Sequence, residues 1–112
     1  MTRAERGRAG EDAAAALLQE QGYRIVARNV RGPGGEIDII ARDGDTIVFI
    51  EVKARLGRTF GSAVGAVDAG KRATLRAIAG DWLQIAAPRA RSRFDVVTFE
   101  AGRPTLHRDA FV

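Results

Sequence analysis

The sequence predicts an α/β or α+β domain built on one mixed sheet. Three observations carry that prediction. Two stretches have helical spacing of apolar residues, one near the start and one past the middle. Four short runs rich in β-branched and aromatic residues lie between and after them. Turn signals separate these runs, namely Gly22, the segment Arg31-Gly32-Pro33-Gly34-Gly35, Asp43-Gly44 and Pro88. With 112 residues, a single domain spanning 1–112 is expected.

The elements follow in order. Thr2-Arg3-Ala4-Glu5 has the capping-box pattern that starts helices. Ala14, Leu17, Leu18 and Gln21 continue at helical spacing until Gly22 stops it. Gly7 and Gly10 weaken the first turns, which favours a start later than Thr2. Glu11 lies three residues before Ala14 and seven before Leu18, on or beside the inward face. Tyr23 to Val30 reads as a strand, Arg31 to Gly35 as a loop, Glu36 to Ala41 as a second strand and Thr46 to Lys53 as a third. Ala54 to Val67 reads as a glycine-bearing surface loop. Asp68 is positioned to cap a second helix reaching about Ala86, with Leu75, Ile78, Trp82 and Ile85 as its apolar stripe. Arg89, Arg91 and Arg93 form a basic linker after Pro88. Phe94 to Phe99 is a fourth strand, and Thr105 to Val112 a weak fifth at the edge. The order is α-β-β-β-α-β with one further β.

Composition narrows the function classes. The chain has no cysteine and one histidine, His107. Thiol chemistry, disulfide frameworks and zinc sites built on sulfur or imidazole are excluded. The run around Thr46 to Ile50 is too short to cross a membrane. No apolar stretch follows the charged N-terminus, so a cytoplasmic location is the default expectation. The formal net charge is +4 and the pI about 10.6. That suits a polyanionic partner such as nucleic acid, and equally a solvated surface. Of 18 basic residues only Lys53 and Lys71 are lysine. A lysine offers a compact, rotatable ammonium that arginine does not copy.

The hairpin after the second strand places side chains on faces. With Asp43-Gly44 as a two-residue turn, Ala41 pairs with Thr46, Asp38 faces Phe49 and Glu36 faces Glu51. One face then carries Glu36, Asp38, Ile40, Ile47, Phe49, Glu51 and Lys53. Directly opposed glutamates are destabilising, and clustered, partly buried carboxylates need a cation. Oxygen ligands alone point to a hard ion, Mg²⁺ or Mn²⁺. Such an ion polarises phosphoryl oxygens, and Lys53 beside Glu51 is suited to the attacking water or to the developing charge. An exposed Glu-x-Lys on a strand is also a common surface pair, and Asp38 also reads as a solubilising strand-end charge. Read from the residues alone, both accounts stay open.

Glu11, the run Gly35-Glu36-Ile37-Asp38-Ile39-Ile40-Ala41 and the run Val48-Phe49-Ile50-Glu51-Val52-Lys53-Ala54-Arg55 resemble the YraN family of bacterial endonuclease-like proteins. The resemblance extends to Gly22-Tyr23, Lys71-Arg72 and Arg93-Phe94-Asp95-Val96-Val97. That family is grouped with the PD-(D/E)xK nucleases and is similar to archaeal Holliday-junction resolvases. The resemblance implies a restriction-endonuclease-like core, α-β-β-β-α-β, with a central mixed sheet flanked by helices. It implies Asp38 and Glu51 as metal ligands, helped by the Val52 carbonyl, with Glu11 reaching the metal shell and Lys53 handling the water. The proline of the superfamily motif is absent, since Ile37 precedes Asp38. Glu36 is a further candidate for the metal shell, or a loop-end charge.

Arg55 and Arg58 after the site, and Lys71, Arg72 and Arg76 on the second helix, are candidates for phosphate contacts; a solvated helix face is the alternative for the latter three. Asp95 reads as structural or as a partner of the basic loop rather than a ligand, His107 as bland and Trp82 as core. The expected activity is metal-dependent endonucleolytic hydrolysis of nucleic acid, DNA before RNA, with branched or structured DNA among the substrates. The alternative is a non-catalytic nucleic-acid-binding module or partner subunit. Relatives of the fold that cut both strands act as symmetric dimers, which makes a homodimer an expectation.

Overall fold

The computed structural model describes residues 2–54 and 69–111. Helix α1 (Arg3–Glu20) leads into strands β1 (Arg24–Gly32), β2 (Gly35–Asp43) and β3 (Thr46–Ala54). Helix α2 (Ala69–Ala86), β4 (Arg91–Glu100) and β5 (Arg103–His107) follow. The five strands lie side by side in chain order. β1, β2 and β3 run antiparallel, β3 and β4 parallel, and β4 and β5 antiparallel. This is the mixed sheet flanked by two helices that the element order predicted, an α/β fold.

Both helices earn their place by covering a sheet face. Ala14 and Leu18, one turn apart on α1, are fully buried against Ile39, Ala41, Val48, Ile50 and Val97. Leu75, Ile78 and Ala79 of α2 pack on Ile37, Ile40, Ile47, Phe49 and Val96. β3 is therefore buried on both sides, as its unbroken apolar run requires of a central strand. Trp82 meets Phe49 edge-on at 6.0 Å, as a core residue should. Ile85 departs from its expected place: it is 89% exposed, and Leu83 packs inward instead. The inward stripe has turned past Ile85 by the last turn of the helix.

Element boundaries also differ from expectation. α1 starts at Arg3 in spite of Gly7 and Gly10. It ends in a Schellman motif, with Tyr23 N donating to Leu18 O and Gly22 N to Gln19 O. Gly32 pairs with Gly35, so the loop shrinks to Pro33-Gly34 and the flanking residues belong to strands. Proline followed by a left-handed residue is the type II arrangement. Arg91 and Arg93 lie in β4 rather than in a linker. The last strand is Arg103–His107, and Phe111 stacks on Phe94 at 4.6 Å. The proposed cap Asp68 lies outside the described residues.

Asp95 is structural, as expected. It is fully buried and accepts from Tyr23 Oη at 2.7 Å, Arg93 Nε at 3.0 Å and Asp109 N at 2.8 Å. Arg93 also donates to Asp43 at 2.8 Å. These bonds tie the end of α1, the β2–β3 hairpin, β4 and the segment after β5 together. His107 bonds to Thr98.

A close approach gives a stability test. A Cβ at Gly32 would meet Ile78 Cγ1 at 2.7 Å, inside the α2 core. Gly32→Ala should cost about 1–3 kcal/mol by overpacking. At Gly80, in mid-helix with nothing within 4 Å, alanine should instead stabilise by about 0.5–1 kcal/mol. Urea denaturation of the two variants checks both signs.

Candidate metal centre

The centre forms where the sheet alternation slips. Ile39 pairs with Ile50, Ile40 with Phe49 and Asp43 with Thr46. The hairpin corner is thus Gly44-Asp45, with Gly44 at φ 61, one residue later than expected for the turn. Only the first corner residue is left-handed, the type II′ pattern that glycine serves. The register moves by two residues, and continuing it one step sets Asp38, not Glu36, across from Glu51.

The shared face does not hold either. Ile37 packs with Ile40 on the α2 side, whereas Ile39 packs with Ala41 on the α1 side. Alternation therefore breaks at Asp38. β1 mirrors the break: Arg28 pairs with Ile39 and Val30 with Ile37, and Asn29 between them has φ 55. Beyond the slip Glu36 and Asp38 turn toward α1, where Glu11 stands. Glu51 and Lys53 alternate with Ile50 and Val52 of the α1-side cluster, so they face α2.

On the α1 side Glu11, Glu36 and Asp38 each offer a carboxylate oxygen, and the three lie within 4.8 Å of one another. Glu11 Oε1 is buried and has no hydrogen-bond partner among the described residues. Arg28 stands 3.6 Å away, beyond hydrogen-bond reach, and bonds instead to Asp12 at 2.8 Å. Glu36 meets Arg31 at 3.3 Å. Asp38 Oδ2 accepts from Val52 N at 2.8 Å. An orphaned buried carboxylate oxygen, in a trio of oxygen donors, fits a hard divalent cation.

On the α2 side Glu51 is 6% exposed. Lys71 Nζ lies 2.5 Å from Glu51 Oε1 and Lys53 Nζ 3.8 Å from it. Burial, then the Glu51 charge, lift the Asp38 carboxyl to about 7, although the Val52 N–H pulls the other way. The neighbouring Lys71 ammonium, with burial second, lowers the Lys53 pKa against the pull of Glu51 and Asp38. For Lys71, burial is the largest influence and opposes the charge, but the hydrogen bonds to Glu51 and Lys53 and the charges of Glu51 and Asp38 together outweigh it and the pKa rises.

Glu11, Asp38, Glu51 and Lys53 lie close to one another in the fold, and Val52, expected to offer its carbonyl, touches Asp38 through its N–H. Glu36 joins them as the third member of the acidic trio. Lys71 sits on Glu51 rather than standing apart on a helix face, which sequence reasoning missed. The one signal for it was the scarcity of lysine: the chain's two lysines both reach the same carboxylate. Arg72 follows on α2, and Arg76 lies 6.0 Å over the Phe111 ring. Arg55 and Arg58 lie outside the described residues.

Fold and centre define a class: an α/β domain with a mixed sheet, compatible with a restriction-endonuclease-like core, carrying carboxylates where two strands part. A family model described as "Uncharacterised protein family UPF0102" matches residues 10–99. The chain belongs to that family, which is the YraN family. A UPF0102 protein of Moorella thermoacetica is 54% identical over 98 residues, spanning 87% of this chain and 82% of its own. One from Symbiobacterium thermophilum is 50% identical over 97 residues, 86% and 82% of the two chains. One from Shewanella loihica is 45% identical over 103 residues, 89% and 90%. Among the described residues, no helix is long and apolar enough to cross a membrane.

The raised Asp38 pKa predicts a pH-dependent stability. In the unfolded chain an aspartate ionises near ~3.9, in the fold near about 7. The neutral form is favoured by folding, so stability from this group is complete below the unfolded pKa and drains away between the two values. Asp38→Asn should therefore stabilise the metal-free protein by about 2–3 kcal/mol at pH 8, with the gain vanishing near pH 4. Denaturant midpoints measured across that range in EDTA check it.

Proposed function

We propose that the protein is a metal-dependent endonuclease that hydrolyses phosphodiester bonds in DNA, with Mg²⁺ or Mn²⁺ held by Asp38, Glu11, Glu36 and Glu51. The observation that carries this reading is the acidic trio around an orphaned Glu11 oxygen, set beside Glu51 and two ammonium groups. A carboxylate cluster on a chain of net charge +4 suits a polyanionic substrate brought to a local cation site. When bound, a hard divalent ion supplies Lewis-acid polarisation of a phosphoryl oxygen.

The chain's own residues do the rest. Asp38 is oriented by the Val52 N–H, and one of its carboxylate oxygens lies within 4.8 Å of those offered by Glu11 and Glu36. Lys53 stands beside Glu51 with its proton loosened by Lys71. It is placed to hydrogen-bond the attacking water and to offset negative charge gathering on the phosphoryl oxygens. Water adds to phosphorus as its proton leaves toward the carboxylates or solvent, the bond from phosphorus to one sugar oxygen breaks, and that oxygen takes up a proton from solvent to leave as a hydroxyl. Arg72 and Arg76 on α2, with Arg55 and Arg58, are the candidates for the DNA backbone.

Cleavage of labelled linear, single-stranded and four-way-junction DNA tests the reading. Cutting should appear with Mn²⁺ or Mg²⁺, vanish in EDTA, and fall roughly 100-fold or more in Lys53→Ala and Asp38→Ala. Metal-independent binding without cutting, on every substrate, would replace it with a nucleic-acid-binding module.

A further inference from the structure

We infer that Lys71 is a resident counter-cation of Glu51, which a divalent ion must displace before Glu51 can serve as a ligand. The inference rests on the metal-dependent reading above and adds an α2 residue to it as a positioning group.

The geometry carries the argument. Glu51 is the most deeply buried of the site carboxylates, at 6% exposed. A charge so placed needs compensation inside the protein. Lys71 supplies it at 2.5 Å through the same oxygen, Oε1, that Lys53 approaches at 3.8 Å. Meanwhile Glu11, Glu36 and Asp38 gather without Glu51. Glu51 thus neighbours Asp38 of the trio while its Oε1 is held by the ammonium on α2. Its two roles use one carboxylate: partner to an ammonium, or ligand to an ion. An ammonium and a divalent cation in contact with the same oxygen repel each other, so they alternate rather than share.

Residue choice on the chain is consistent with this. Lysine appears at two positions among 18 basic residues, and both meet at Glu51. A guanidinium would hold a carboxylate through two parallel bonds and release it reluctantly. A single rotatable ammonium on a flexible stem is easier to exchange. The Lys71 side chain is 37% exposed, so it has a path to solvent when it leaves. Lys71 is the third residue of α2, at the end of the helix that follows the segment leaving β3. Loading the ion thereby changes what holds that end of α2 to the sheet.

The test uses the full chain. Calorimetric titration of Mn²⁺ at fixed pH and ionic strength compares wild type, Lys71→Met, Glu51→Gln and the double variant. Lys71→Met should bind Mn²⁺ roughly 10-fold more tightly than wild type. In the Glu51→Gln background the same substitution should change affinity little, since no carboxylate is left to compete for. Equal or weaker binding by Lys71→Met overturns the inference, and so does an equal tightening in the Glu51→Gln background. Should Lys71→Met fail to fold, the wild-type chain still decides: its lysine ammonium ¹⁵N spectrum has only two side-chain sources. The Lys71 signal should be protected without Mg²⁺ and move or exchange away as Mg²⁺ saturates. A Lys71 signal unmoved at saturation overturns the inference while leaving metal binding intact. Absence of any Mn²⁺ or Mg²⁺ binding by wild type overturns it together with the metal-dependent reading.

Discussion

The hydrogen bond from Val52 N to Asp38 is the contact on which the centre depends. A backbone N–H in a sheet interior needs an acceptor. Here the acceptor is a side chain, because the β2–β3 ladder stops at Ile39 and Ile50. With Val52 satisfied by a carboxylate, β2 is released from the regular ladder. It can slip its alternation at Asp38 and aim Glu36 toward α1. β3 does not follow, since its parallel pairing with β4 continues through Ala54 and Phe99. One strand turns and its neighbour stays straight, and carboxylates from both are left facing the gap.

Among the described residues Asp95 and the carboxylates around Asp38 form two acidic centres, and their difference is instructive. Asp95 is fully buried and receives donors from Tyr23, Arg93 and the Asp109 backbone. A carboxylate so saturated is a structural clamp, with nothing left to offer a ligand. Around Asp38 the balance is reversed. Four carboxylates converge, Glu11 keeps a buried oxygen unbonded among the described residues, and the Asp38 carboxyl is pushed up to about 7. Such under-compensated acid is costly in a metal-free fold. It makes sense where an added cation completes the set.

Lysine and arginine divide the same labour. Arg93 bridges Asp95, Asp43 and Tyr23 with its planar fork, fixing strand ends in one arrangement. Lys53 and Lys71 meet Glu51 as point charges on flexible stems. The rigid partner serves the scaffold, and the rotatable ones serve the centre.

The sequence by itself determined the elements and the names of the acids. Helical spacing at Ala14 and Leu18 and the two-sided apolar run of β3 are local patterns, and local patterns survive without knowledge of neighbours; the turns were legible only as approximate positions, a residue or two wide of Pro33-Gly34 and Gly44-Asp45. The motif residues Asp38, Glu51 and Lys53 were legible for the same reason, as was Glu11 once a helix was drawn through it. The tertiary structure alone decided the faces and the partners. A two-residue register shift leaves side-chain alternation unchanged in the sequence pattern, so only the ladder reveals it. The slip at Asp38 depends on Asn29 in another strand taking a left-handed turn, which no period-two reading of β2 contains. Ile85 fits the apolar stripe of α2 but is exposed, because the inward face has passed to Leu83 by the last turn. Lys71 reaches Glu51 across the crossover between β3 and α2, a contact between elements that sequence spacing does not encode.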